Sequence, residues 1–285
     1  MAGEDRKPAK FAPWALLSPG GLFMCAFFLA PVLTLIRTAM SSKPSRFENP
    51  EFAWDFSSFS TAFSDYGGHF GRSFLFAGAA TVLAFVIGYP LAYFIAVYGG
   101  KWKDLLIGIV VIPFFTSFLI RTIAWTSILG NQSFLTDAAR GIFGDEFNFL
   151  GTPMAVIGGL TYNFLPFMIL PIYVALEKID FRLTEAAEDL YATPGAGFWR
   201  VIFPLSLPGV FAGSLLVFIP AAGDFINVRF LGTPKLTTIG SVVQDQFLVQ
   251  LNYPVAAALS LILMAIITVA VLVYSKLFGT EGLAT

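Results

Sequence analysis

Long apolar runs and short polar stretches alternate along the whole chain. Apolar runs occupy 14–40, 74–98, 105–129, 154–176, 210–230 and 255–277. A helix rises about 1.5 Å per residue, so each run is long enough to cross a hydrocarbon core of roughly 30 Å. The pattern predicts an all-α integral membrane protein with six transmembrane helices. The chain divides into a tail at 1–13, a transmembrane domain at 14–277 and a second tail at 278–285. The first run exceeds a signal-peptide core of about 7–15 apolar residues and is expected to stay in place as a span.

Proline interrupts most of the runs, at Pro31, Pro90, Pro113, Pro166, Pro171 and Pro220. Such breaks are tolerated in a membrane where neighbouring helices, protein or water satisfy the freed backbone groups. They therefore predict a bundle around a cavity or a bundle packed on a second subunit. Between the runs, 41–73 and 130–153 carry aromatic and polar residues with Gly and Pro turns, among them Phe47, Phe52, Trp54, Phe56 and Phe59. They are expected as loops that meet something outside the membrane.

Composition agrees with the pattern. The 285-residue chain is 56% hydrophobic and 12% charged, with 32 Phe and a mean hydropathy of +0.76. A soluble domain carries about 25% charged residues. A net charge of −1 argues against nucleic acid as a partner. One cysteine, Cys25, and one histidine, His69, leave no disulfide framework, metal cluster or catalytic triad in prospect. No catalytic residue, cofactor or metal is expected, and His69 is expected in an outer loop. The segment Gly67-Gly68-His69-Phe70-Gly71 before Arg72 has neither the length nor the lysine of a phosphate-binding loop, so ATP chemistry would have to come from a partner.

Basic residues orient the spans. Arg6, Lys7, Lys10, Lys101, Lys103, Lys178, Arg182, Arg200 and Lys276 fall on one side, and the longer opposite segments hold fewer. By the positive-inside rule both termini are cytoplasmic, N-in and C-in. The stretch 177–209 is then the longest cytoplasmic loop. Glu185 to Leu190 is rich in helix formers, Thr193-Pro194 offers a cap followed by a first-turn proline, and Pro204 and Pro208 are expected to end a second short helix. Two short helices joined by a bend are predicted there. Ala186 and Ala187 allow close approach to a partner, Glu185 offers a carboxylate, and Phe198 and Trp199 offer rigid apolar area.

Two ionisable residues lie inside apolar runs, Arg121 and Asp224. Counted along straight helices, both come out roughly 20–24 Å deep. They could form a structural ion pair. Alternatively, Asp224 with Phe225 lines a path and attracts a cation by charge and by aromatic faces. Tyr162 and Asn163 are polar within the fourth run and fit either a path or a packing hydrogen bond.

The ordered pattern Glu185-Ala186-Ala187, Phe198, Val201, Ile202 and Pro204 to Pro208 resembles the EAA loop of the membrane subunits of type I ABC importers. With the runs 112–121, 162–180 and 209–232, the chain is similar to one of the two membrane permeases of spermidine/putrescine importers, a resemblance that covers most of it from the second span onward. The resemblance implies a bacterial inner-membrane protein whose loop is a coupling helix seated in a groove of an ATP-hydrolysing subunit. It further implies two ATP-binding subunits, a second and non-identical permease, an extracytoplasmic solute-binding protein, and pore aromatics near Phe115 and at Phe225. The family usually has glycine where this chain has Tyr191, and Gly195 is expected to take part of the bend. Related permeases carry iron, anions, opines or sugars. A self-contained secondary transporter or channel, and a membrane scaffold, are the other classes that the runs alone allow.

Overall fold

The computed structural model describes residues 12–42, 48–189 and 191–278. Helices α1 (Ala12–Met24) and α2 (Ala30–Ala39) are joined by a single π turn at Cys25–Leu29. The wider turn comes just before Pro31, whose ring would otherwise press on the carbonyl four residues back. Only the end of α2 is packed, with Ala39 buried, and the apolar side chains from Leu17 to Leu33 are exposed on the isolated chain. A two-residue hairpin pairs Ser41–Ser42 with Glu51–Phe52.

Helix α3 (Ser57–Tyr98) is 42 residues long and begins well before the second apolar run. The loop expected over 41–73 is therefore helical from Ser57 onward. Ser58, Ala62, Phe70 and Ser73 are buried at helical spacing, while polar neighbours face outward. That amphipathic period was available in the sequence, but the polar half masked it in a search for apolar runs. Asp55 receives the Ser57 N–H at 2.8 Å, and this bond holds its carboxyl below the usual carboxylate range. His69, expected in a loop, lies within α3 with Nδ1 3.0 Å from Thr237 Oγ1. Arg72 donates to the Lys235 and Thr237 carbonyls at 3.0 Å, fastening the segment 233–238 to α3.

The third run is not one straight span. Helix α4 (Lys103–Val111) passes through a 3₁₀ turn at Ile112–Phe115 to α5 (Phe118–Ile128), and the two halves are bent by 93°. Pro113 supplies the break, and Ser117 with extended ψ starts the second half. Helix α6 (Phe134–Phe143) occupies part of the second expected loop, capped by Ser133 and followed by a turn that Arg140 ties to Asn131, Phe147 and Asn148.

Helix α7 (Pro153–Glu177) starts at a Thr152 cap with Pro153 in its first turn, one residue from the predicted start. Two short helices follow, α8 (Arg182–Asp189) and α9 (Pro194–Gly197). A π turn at Phe198–Ile202 then leads into α10 (Phe203–Ala222). Beyond it come α11 (Ile226–Leu231), α12 (Ile239–Gln244), a π turn at Asp245–Val249 and α13 (Tyr253–Phe278). Among the described residues, five helices are long and apolar enough to cross a membrane, or six with the bent α4–α5 pair as one span.

The core is the trio α3, α7 and α10. Small residues let these helices close on one another: Ala77, Ala80, Ala84 and Ala92 of α3 are fully buried. Gly209 of α10 meets α7 so tightly that a Cβ there would lie 2.5 Å from Pro171 O. A second cluster joins the end of α2, the first part of α3, α12 and α13.

Candidate functional site

Residues singled out in the sequence gather at the two ends of one helical rod. The stretch Pro194–Ala222 runs as 29 helical residues, about 43 Å at 1.5 Å per residue. The sequence placed a stop at Pro204 and Pro208, and the structure corrects this. Pro204 lies in the first turn of α10 and Pro208 inside it. Just before them the π turn, in which the Phe203 N–H reaches back to Phe198 O, makes room for the Pro204 ring.

At the loop end of the rod, α8 stops at a left-handed residue. Tyr191 has φ +61° and is 98% exposed, and the Ala192 N–H bonds the Ala187 carbonyl at 3.0 Å. That bond, reaching five residues back over a left-handed residue, is the Schellman stop, which ordinarily employs glycine. A side chain in this conformation costs about 1–2 kcal/mol. Gly195 takes no share of the bend: it lies in α9 without a positive φ, below a Thr193 cap that accepts the Ala196 N–H. Ala186 is exposed and Ala187 half-buried, whereas the Glu185 side chain is outside the described residues.

The two aromatics of this end face different ways. Phe198 turns into its own bundle, edge-on to Tyr89 at 5.9 Å and to Tyr93 at 5.4 Å, so its ring does not form part of an outward surface. Trp199 is 63% exposed and stands against Phe203 at 5.0 Å. One hydrogen bond locks the cluster. Ser206 Oγ donates to Phe203 O at 2.8 Å, leaving Tyr89 Oη to donate to Ser206 Oγ at 2.9 Å.

At the other end, the rod breaks at Gly223 and the chain restarts at α11. Asp224 lies in this break, outside a continuous span. Its Oδ1 accepts the Asn227 N–H at 2.8 Å and the Asn227 Nδ2 at 3.2 Å. Asn227 Oδ1 accepts from Asn163 Nδ2 at 3.0 Å, and the same Nδ2 donates to Thr122 Oγ1 at 3.2 Å. Thr122 in turn donates to Phe118 O at 3.1 Å. Thr122 and Asn227 are 0% exposed and Asn163 1%. The chain of bonds joins α5, α7 and α11, and α11 approaches α7 closely enough that a Cβ on Gly159 would collide with Leu231.

No ion pair links Arg121 to Asp224 among the described residues. The 93° bend removes the straight ruler by which both came out at one depth. Arg121 is 8% exposed, its guanidinium 5.9 Å from the Phe114 ring centre and 5.8 Å from that of Phe118. These contacts give the guanidinium cation–π stabilisation in place of the expected ion pair with a carboxylate. Arg121 Nε and Asn163 Oδ1 are buried without a partner among the described residues. A buried polar atom left so costs about 1–3 kcal/mol.

The other sequence candidates do not converge on one point. Phe115 is exposed at the α4–α5 break, and Tyr162 packs edge-on to Trp125 at 5.2 Å. Phe225 points into a cavity of about 440 Å³ between α10, α12 and α13, shared with Ile219, Gln244, Ser260 and Met264. Asn227 and Thr122 escaped the sequence reading. Asp224 three residues before Asn227 is a cap-like spacing that could have flagged the first, but no local signal marks the second.

Comparison with known proteins gives concordant matches. Residues 88–278 match the family described as binding-protein-dependent transport system inner membrane component. The spermidine/putrescine transport system permease protein PotB of Haemophilus influenzae is 41% identical over 207 residues, covering 72% of each chain. A bacterial ABC transporter involved in the import of the acidic polysaccharide alginate superposes with a TM-score of 0.75 at 19% identity, covering 94% of this chain and 95% of that one. The alginate ABC transporter in complex with an alginate pentasaccharide-bound periplasmic protein gives 0.71 at 18% identity, with 96% of both chains covered.

Proposed function

The chain belongs to the family of binding-protein-dependent transport system inner membrane components, and we propose that it is one of two membrane permease subunits of an ATP-driven importer for polyamines such as spermidine and putrescine. It works with a non-identical second permease, two ATP-binding subunits and an extracytoplasmic solute-binding protein. ATP is bound and split by the partner subunits. The termini and the 177–209 loop face the cytoplasm, in keeping with the basic residues at Lys101, Lys103, Lys178, Arg182 and Arg200.

The observation that carries this function is the continuity of the loop with the rod. The loop that meets the ATPase runs without a break from α9 into α10, and about 43 Å further on the same rod ends at Asp224. A push on the exposed Trp199 is therefore delivered to the break as a movement of one rigid body. The sequence of events is alternating access. ATP closes the two nucleotide-binding subunits, the paired loops are drawn together, the rods tilt, and the bundle opens outward to receive solute from the binding protein.

Polyamine is favoured as solute by the likeness to a spermidine/putrescine permease and by the site itself. Asp224 offers a carboxylate, and Phe225, on the next residue, offers an aromatic face. Both suit an ammonium group on a short aliphatic chain. Reconstitution tests the whole reading. Solute-stimulated ATP hydrolysis is expected only when this chain, its second permease, a separate ATPase and the binding protein share one liposome. Uptake by this chain alone, without ATP, sinks the proposal.

A further inference from the structure

Asp224 uses only half of its carboxylate within the chain. Oδ1 accepts both bonds from Asn227, while Oδ2 accepts none among the described residues. The orientation of Asn227 is itself determined. Its Oδ1 accepts from Asn163, so its Nδ2 must be the atom that turns to Asp224. Asn163 is determined in the same way, because its Nδ2 divides its two hydrogens between Thr122 and Asn227. Thr122 spends its own hydrogen on Phe118 O and can only accept from Asn163. The donors therefore diverge from Asn163, one hydrogen going back to Thr122 on α5 and the other to Asn227 on α11, which donates in turn to the carboxylate.

From this chain of bonds we infer that Asn227 is a positioning residue, held by Asn163 and Thr122, that fixes the Asp224 carboxylate and leaves Oδ2 as the acceptor for an ammonium group of the solute. The inference rests on the reading of Asp224 as part of the path. Geometry explains why such a support is needed. Gly223 and Asp224 lie between two helices, where the Asp224 backbone is held only by long bonds, its N–H donating to Ala221 O at 3.3 Å and its carbonyl accepting from Thr238 Oγ1 at 3.3 Å, and the carboxylate is anchored on one of its two oxygens by the Asn227 N–H and Nδ2. A carboxylate free to rotate would lose part of its advantage in ordering entropy and in placement. Asn227 restores it because a fully buried amide on α11 is pinned across two other helices.

The test uses the assembled transporter in liposomes with saturating binding protein, reading initial putrescine uptake and ATP hydrolysis together. Asp224→Asn is expected to slow uptake about ten-fold while binding-protein-stimulated hydrolysis persists, the scale of one lost bond to a charged group. Asn227→Ala is expected to slow it by a similar factor. The decisive result is the double variant, which should be no slower than Asp224→Asn alone, since a residue acting through Asp224 has nothing left to position. Two factors that multiply in the double variant overturn the inference, as does normal uptake by Asn227→Ala beside an impaired Asp224→Asn. Normal uptake by Asp224→Asn overturns the path reading itself, and the inference with it. Should Asn227→Ala be lost from the membrane, Thr122→Val keeps the side-chain shape and removes the far acceptor. It should slow uptake about two-fold in the parent and not at all in the Asp224→Asn background. An equal loss in both backgrounds overturns the inference.

Discussion

The two ends of the rod from Pro194 to Ala222 are held by different forces. The loop end is held mainly by rings, with Phe198 edge-on to Tyr89 and Tyr93 and the Tyr89–Ser206 bond adding direction. The break end is held by amides and a carboxylate, with Asn163 and Asn227 buried and the orientation of each amide fixed by its partners. Aromatic packing is broad and tolerates small rotations. Hydrogen bonds in a dry interior specify one geometry and penalise every other. The rod is thus seated by yielding aromatic packing at one end and by bonds of fixed geometry at the other, a division that suits the role proposed above, in which one end moves and the other discriminates.

Four substitutions break or sharpen this comparison. The largest effect is expected from Phe198→Ala, which empties the aromatic seat and should destabilise the protein by about 3 kcal/mol. Trp199→Ala, one residue on but exposed, should change stability by no more than about 0.5 kcal/mol. Thermal unfolding in detergent compares the pair, and equal losses would remove the distinction between an inward anchor and an outward surface. Next comes Asn163→Ala at the break end. It strips the donor from Asn227 and Thr122 together, for an expected loss of about 2 kcal/mol. A stability like the parent's in the same assay would mean that these bonds are idle. A smaller effect than at the break end, and of opposite sign, is expected from Tyr191→Gly, which relieves the left-handed residue and should add about 1 kcal/mol. Chemical denaturation of the purified chain reads it, and a loss of stability would argue that the exposed tyrosine ring supports the loop.

The strain at Tyr191 sharpens the same contrast. The break end has a buried donor and a buried acceptor left over, Arg121 Nε and Asn163 Oδ1. The loop end has a backbone angle that glycine would adopt more easily. Residues held away from their local minimum concentrate where a protein binds or switches. Trp54 and Leu251 hold a positive φ as well, 50° and 54°, so such strain is not confined to the surroundings of the rod.

Much of the fold was legible one residue type at a time. The runs at 154–176 and 255–277 lie within a residue or two of helices Pro153–Glu177 and Tyr253–Phe278, because a span is set by length and hydropathy, which are local and additive. The left-handed position at Tyr191 was legible too, through the resemblance that puts glycine there. Three features were not. The helix before Phe74 hides its apolar face among serines, the 93° bend turns on where a proline break is allowed to point, and the rod runs through Pro204 and Pro208 because a π turn absorbs the first ring. Each depends on neighbours that compensate for a local irregularity.

What the sequence determined by itself was therefore the class of protein and the spans whose helices are uninterrupted, both carried by patterns within some 25 residues of chain. Tertiary structure alone decided the partners of the buried polar residues. Thr122 finds Asn163 across 41 positions and Asn163 finds Asn227 across 64. Arg121 and Asp224, which the sequence allowed as an ion pair, meet aromatic faces and an asparagine instead of each other. The reason is that a hydrogen bond requires atoms within about 3 Å and in line. Hydropathy can tell that a polar side chain is buried, but only the packing of α5, α7 and α11 determines which other buried atom lies within that reach.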